Sequence, residues 1–165
     1  MGGSSNDAAA PNKADKGQQD SRLNDTLSKV AKDPEGSKLL EAAKKKGYTI
    51  EVGDPTQGKG GQGKEVNGVT LSDQKKIIIN PNAPDFDKTV VHELVHAATD
   101  GDGDSQQEEG IADVVGYRVA NRMNGKGGPG DVNSIYQNKM SNYQELGQSN
   151  SVRNSLAALG INAGV

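Results

Sequence analysis

The chain has 165 residues, of which 32% are hydrophobic and 25% are charged, and it contains 22 glycines, one Phe and no Trp. This length accommodates one domain, and the low apolar content indicates that only part of the chain packs into a core. The absence of cysteine excludes disulfides and cysteine-ligated metal sites. A net charge of −3 disfavours nucleic acid as a partner, and no apolar run is long enough to span a membrane.

The first twenty residues are the most polar part of the chain, composed mainly of Gly, Ser, Asn, Gln, Ala, Asp and Lys. Such a segment cannot bury enough apolar surface to offset its ordering entropy. We therefore predict a disordered tail at 1–20 and one folded domain at 21–165. The tail lacks the apolar stretch of a cleaved signal peptide, although a polar, disordered terminus is also the kind of export signal used by type III secretion.

Helical sequence follows the tail. The spacing of Leu23, Leu27 and Val30 predicts a first helix. A second helix is expected to begin after Asp33, which is a good N-terminal cap before proline, and to end at Gly47.

The remainder of the chain predicts a small sheet followed by further helices. Apolar runs and alternation predict three strands, at 48–52, 64–71 and 75–80. Helices are predicted at 84–99, 106–124, 133–146 and 152–159. This order predicts an α+β fold, in which a small antiparallel or mixed sheet lies between the N-terminal helices and the two long helices that follow.

Both histidines of the chain lie in one short sequence, His92-Glu93-Leu94-Val95-His96, within the predicted helix at 84–99. Residues four apart share one face of a helix, so the two imidazoles can bind one Zn²⁺. Glu93 is adjacent to the first histidine and can accept a proton from a water that the metal activates. The motif therefore predicts a zinc hydrolase with Glu93 as its general base.

A catalytic zinc site needs a third protein ligand, which must be a carboxylate in this chain. We predict Glu109 as that ligand, with Asp113, one turn further along the same helix, orienting a ligating histidine. Two alternatives stay open. Glu108 is adjacent to Glu109, and Asp102 falls at metzincin spacing, although Thr99 stands where that pattern has glycine.

A tyrosine hydroxyl is the candidate for stabilising the oxyanion of a tetrahedral intermediate. Tyr117 lies two turns after Glu109 and near the same side of the predicted helix. Tyr136 and Tyr143 are equally compatible with the role on sequence grounds.

The motif His92-Glu93-x-x-His96 and the later Glu109-x-x-x-Asp113 resemble those of zincin metallopeptidases of the gluzincin type. Within that group the chain looks most like the NleD-like effector proteases that bacteria secrete into host cells. The similar segments are 34–40, 92–97, 108–109 and 150–156. The resemblance implies a zincin-like fold, with the motif on one helix and the ligand glutamate on a second. It also implies that the strand at 75–80 is an edge strand that holds the substrate backbone.

The resemblance predicts a zinc-dependent endopeptidase that acts on a host protein after secretion without a cleaved signal peptide, and we expect it to be a monomer. The segment from Glu109 to Asp113 is also similar to the small regulatory peptidases of the ImmA/IrrE type, which would place the protein in the bacterial cytoplasm. A non-catalytic zinc-binding interaction domain and a scaffold without metal are the remaining alternatives. A structural zinc site would need four protein ligands, and the chain offers no third histidine.

Overall fold

The structure is a computed structural model that describes residues 12–57, 66–100, 106–126 and 150–162. Within these ranges the chain forms five helices and a three-stranded mixed sheet, so the predicted α+β class is confirmed. The helices are α1 (Asn12–Lys32), α2 (Pro34–Lys45), α3 (Phe86–Thr99), α4 (Gln106–Met123) and α5 (Asn150–Ala158). The strands are β1 (Thr49–Val52), β2 (Gly68–Leu71) and β3 (Lys76–Ile79). The helix predicted at 133–146 lies outside the described residues.

The first helix begins inside the segment for which disorder is predicted, because α1 starts at Asn12. Extending a helix that is already packed adds one backbone hydrogen bond per residue at little further cost. Lys16 also donates a hydrogen bond of 3.0 Å to the carbonyl of Val52 and pairs with Asp20 at 3.3 Å. Residues 12–20 are therefore helical, while 1–11 lie outside the described residues.

The sheet has the order β1-β3-β2, with β1 parallel and β2 antiparallel to β3. The expectation that the strand at 75–80 is an edge strand is therefore wrong, because β3 lies between β1 and β2, and β2 is an edge among the described strands. The physical reason is visible in the run Ile77-Ile78-Ile79, of which all three residues are buried. A strand covered on both faces carries consecutive apolar residues, whereas a half-exposed one alternates.

The helix that carries the histidines, α3, is buried along most of its length and packs directly against α2, α4 and the sheet. The expectation that the sheet separates the N-terminal helices from α3 is therefore wrong, because α1 also contacts α3 directly, and the Thr26 hydroxyl donates to the Asp87 carboxylate at 2.6 Å. The helix ends at Asp100, which has a left-handed conformation with φ of 48°. The Asp100 carboxylate accepts hydrogen bonds from the Tyr48 hydroxyl (2.9 Å) and the Lys75 ammonium (3.0 Å), and these contacts fix the C-terminal end of α3.

A network of ion pairs fixes α4 against the start of α2. The Asp33 carboxylate caps α2 by accepting from the backbone N–H of Gly36 at 2.8 Å, and it also accepts from the guanidinium of Arg122. Arg118 donates to Glu35 at 2.9 Å. Burial raises the pKa of Asp33, but Arg122 and the helix amides outweigh burial and hold it below its usual value.

The two helices of the predicted metal site approach closely at Gly116 of α4. A Cβ atom at this position would lie 3.1 Å from the carbonyl oxygen of Lys88 and 3.4 Å from the backbone nitrogen of His92. Only glycine permits this contact without a shift of the backbone. The close approach brings the acidic residues of α4 within reach of the histidines on α3.

Candidate metal centre

The predicted ligands His92, His96 and Glu109 come together between α3 and α4, with one ligand atom of each within 4.8 Å of the others. The Nε2 atoms of the two histidines are 3.2 Å apart. The Glu109 carboxylate spans both rings, with Oε1 2.8 Å from Nε2 of His96 and Oε2 3.2 Å from Nε2 of His92.

This donor set fits a divalent zinc ion. Two facing imidazole nitrogens can share at most one hydrogen, whereas a cation between them would be bound by both lone pairs. Two nitrogens and one carboxylate form a three-ligand zinc site that retains an open position for water. The histidine side chains are 11% and 5% exposed, but that of Glu109 is 45% exposed, so the cluster opens to solvent on the Glu109 side.

The electrostatics of the cluster depend on charges that compensate each other. Burial lowers the pKa of His92, but the nearby carboxylates of Asp113, Glu109 and Glu93 outweigh burial and raise it to about 9. Burial raises the pKa of Glu109, yet contact with His92 and His96 lowers it to about 2. In the absence of a cation, His92 therefore retains a proton among several carboxylates at neutral pH.

Zinc binding is expected to release the proton that His92 carries, so zinc affinity should depend on pH. Below the pKa of about 9 the protonated ring competes with the metal, and affinity should fall as the pH falls. From the protonation of His92 alone we expect zinc affinity to be roughly 100-fold lower at about pH 6 than at about pH 8. Calorimetric titration in buffers of different ionisation enthalpy measures both affinity and proton release. An affinity that is constant over this range would contradict the assignment.

Two buried carboxylates lie on the outer side of the histidine rings. Oδ1 of Asp113 is 2.8 Å from Nδ1 of His92, off the N–H direction of the ring, and 3.0 Å from the Lys88 ammonium. Burial raises the pKa of Asp113, but His92 and Lys88 hold it well below its ordinary value. Glu108 is 3% exposed, and its carboxylate lies 3.9 Å from Nδ1 of His96. Glu108 thus faces the nitrogen of His96 that points away from the ligand cluster.

The ligand assignment can be tested by comparing single carboxylate variants. Glu109→Ala removes a candidate ligand and should cost most of the zinc affinity, whereas Asp113→Ala should cost only about 10- to 100-fold by loosening the orientation of His92. Asp102, which lies outside the described residues, should tolerate alanine without loss. The exposed Glu41→Ala is a matched control. Zinc affinity is measured for each variant by competition with a chelating dye. Retained affinity in Glu109→Ala would contradict the assignment of Glu109 as a ligand.

Glu93, the predicted general base, lies beside the cluster and is 7% exposed. Its Oε2 atom is 3.9 Å from Nε2 of His92, and its Oε1 atom accepts a hydrogen bond of 2.8 Å from the hydroxyl of Thr70 on β2. Thr70 was not predictable from the sequence, because nothing in a strand pattern indicates which helix its side chain contacts. Gly68, also on β2, was the available signal, since a glycine within a strand often marks a close approach.

Tyr117, the predicted oxyanion stabiliser, lies elsewhere. Its ring packs under the ammonium of Lys88, which is 4.9 Å from the ring centroid. It lines a cavity of about 480 Å³ between α1, the start of α3 and α4, and none of the three ligand residues borders that cavity. The structure therefore does not bring Tyr117 together with the cluster. Tyr136 and Tyr143 lie outside the described residues.

No model of a known protein family, no curated protein and no solved structure matches this chain. The class of the protein is therefore defined by its own fold and site. It is an α+β protein whose helices α3 and α4 bring together two histidines and a glutamate that could hold a metal ion. In the ranges that the structure describes, none of the helices could cross a membrane, because none is both long and apolar enough.

Proposed function

We propose that the protein is a zinc-dependent endopeptidase. The observation that carries the proposal is the position of Glu93 relative to the three candidate ligands. A buried carboxylate with one oxygen held by Thr70 and the other 3.9 Å from Nε2 of His92 is suited to general base catalysis. A metal site with a purely structural role has no need of such a group and is normally closed by four protein ligands.

The residues of the site divide the expected chemistry among them. Zn²⁺ held by His92, His96 and Glu109 would lower the pKa of a water toward neutrality and polarise the scissile carbonyl. Glu93 would accept the proton of the attacking water and deliver it to the leaving amine. Asp113 lies 2.8 Å from Nδ1 of His92 and would hold that ring in position.

The edge of β2 opposite β3, which no described strand covers, is the surface where we propose that the substrate backbone binds. The backbone N–H of Asn80 donates to the carbonyl of Asn67, so these two residues form a hydrogen-bonded pair. From there, non-hydrogen-bonded and hydrogen-bonded pairs alternate along β2 and β3. By this alternation the N–H and C=O groups of Gly68 and Thr70 point away from β3. No other described strand pairs with this edge, and an extended peptide could add to it as a further strand beside Glu93.

The cellular role that we propose rests only on the resemblance of short sequence segments to known families. Similarity to the NleD-like proteases supports a secreted bacterial effector that cleaves a host protein. Similarity of the segment from Glu109 to Asp113 to the ImmA/IrrE type supports a second candidate, a regulatory peptidase of the bacterial cytoplasm.

The proposal is tested by the variant Glu93→Gln, which removes the base and leaves all three candidate ligands in place. Hydrolysis of fluorescein-labelled casein by zinc-loaded protein should fall by about 10²- to 10⁴-fold, while zinc content and thermal unfolding stay at wild-type values. Undiminished activity in this variant would exclude Glu93 as the base.

A further inference from the structure

We infer that Thr70 is a positioning residue for Glu93, whose hydroxyl fixes one carboxylate oxygen so that the other is directed at the ligand cluster. The catalytic consequence rests on the proposed function, because it requires Glu93 to act as a base. The orientation of the carboxylate is a property of the chain itself and can be measured without metal or substrate.

The two oxygens of Glu93 have different surroundings. Oε1 lies 2.8 Å from Oγ1 of Thr70, whereas Oε2 lies 3.9 Å from Nε2 of His92. Oγ1 is also 3.0 Å from the backbone carbonyl oxygen of Glu93, but a hydroxyl has a single hydrogen to donate. An ionised carboxylate is the stronger acceptor, so the hydrogen is directed to Oε1. Rotation of the carboxylate would break this bond and turn Oε2 away from the cluster.

The neighbouring position on the same face of β2 limits the movement of Glu93 further. Side chains two apart in a strand point the same way, so Gly68 faces α3 as Thr70 does. A Cβ atom at Gly68 would lie 3.1 Å from Cγ of Glu93 and 3.0 Å from Cγ2 of Thr89. The strand therefore packs tightly against the stem of Glu93 while Thr70 holds its oxygen.

Burial makes the hydroxyl of Thr70 difficult to replace by water. The Glu93 side chain is 9% exposed, so a variant without the hydroxyl leaves one carboxylate oxygen poorly solvated. A buried acceptor that loses its donor is destabilised and rotates or recruits another partner. We therefore expect the loss of this single hydroxyl to change the orientation of Glu93 while the fold is retained.

Thr70 also has a second connection to the site, through its backbone. Its N–H and C=O groups point to the edge of β2 where we propose that the substrate binds. One residue would thus contact the peptide through its backbone and the base through its side chain. Substrate that pairs with this edge would hold Thr70, and with it Glu93, in a fixed position.

The test uses two substitutions of Thr70 and one matched control. Thr70→Val removes the hydroxyl but keeps the shape and the β-branch, whereas Thr70→Ser keeps the hydroxyl. Thr49→Val makes the same chemical change at an exposed position of β1. All three variants should fold and bind zinc, and Thr70→Val should unfold at a somewhat lower temperature than wild type because a buried carboxylate oxygen loses its donor.

The catalytic readout is hydrolysis of fluorescein-labelled casein by the zinc-loaded proteins. For Thr70→Val we expect kcat to fall about 10- to 100-fold with KM unchanged, which is the range for residues that orient metal-site groups. The kcat values of Thr70→Ser and Thr49→Val should stay within about threefold of the wild-type value, because both variants keep the hydroxyl that contacts Glu93. Wild-type kcat in Thr70→Val would overturn the catalytic part of the inference while leaving the proposed function intact.

The second readout is independent of metal and activity. Crystal structures of the metal-free proteins show the orientation of the Glu93 carboxylate about its Cγ–Cδ bond. In wild type and Thr70→Ser one carboxylate oxygen should accept a hydrogen bond from the hydroxyl at position 70, and in Thr70→Val the carboxylate should be rotated. An unchanged carboxylate orientation in Thr70→Val would overturn the inference. If wild-type protein fails to cleave casein, the proposed function fails, and the carboxylate orientation alone still decides the role of Thr70.

Discussion

Replacing His96 with alanine is expected to reduce the zinc content from about one ion per chain to nearly none. His96 is 5% exposed, its Nε2 atom faces both His92 and Glu109, and no third histidine exists to substitute for it. His92→Ala should have the same effect. Elemental analysis of protein dialysed against limiting zinc measures the result.

Loss of the metal must be separated from loss of the fold. Far-ultraviolet circular dichroism and thermal unfolding of the metal-free proteins provide that control, because both variants should be folded without zinc. Glu41→Ala, on the exposed side of α2, should keep its zinc. Stoichiometric zinc in either folded histidine variant would place the metal elsewhere and contradict the ligand assignment.

Glu93→Gln should decrease the rate of casein hydrolysis by roughly 10²- to 10⁴-fold, the usual contribution of a general base. The amide has nearly the shape of the carboxylate and can still accept a hydrogen bond from Thr70, but it cannot accept a proton from water at neutral pH. Zinc content should stay at the wild-type value, because Glu93 is not one of the three ligands.

The exposed pair of Glu51 and Lys76 provides the matched control, since Glu51→Gln makes the same change away from the cluster and should leave the rate unaffected. Two other outcomes lead to different conclusions. Equal activity of Glu93→Gln and wild type would assign the base to another residue. Zinc binding by a wild-type protein that cleaves no peptide bond would favour the non-catalytic zinc-binding domain.

The candidate ligands could be predicted from the sequence because both pairs of groups lie within single helices. His92 and His96 share a helix face by their spacing, and Glu109 and Asp113 do so on the next helix. The structure places Asp113 beside His92 and Glu109 beside both rings. Helical periodicity is a local property, so no knowledge of the rest of the fold was needed.

Strand order was not predictable in the same way. The sequence predicted three strands, but the family resemblance implied the wrong edge strand, because pairing partners are distant in the chain and local sequence does not identify them. The N-terminal helix was also underestimated. Its polar first residues have little tendency to order alone, and Lys16 reaches its partner Val52 only in the folded chain.

The sequence by itself indicated the three strands and five helices that the structure describes, although not where the first helix begins, together with the helix faces and the chemical types in the cluster. These features follow from local spacing and composition. Only the tertiary structure decided which side of each histidine a carboxylate meets, so that Glu109 faces Nε2 and Glu108 faces Nδ1. It also placed Thr70 against Glu93. These contacts depend on how closely two elements approach and at what register, and that is set by packing over the whole core rather than by any neighbouring residue.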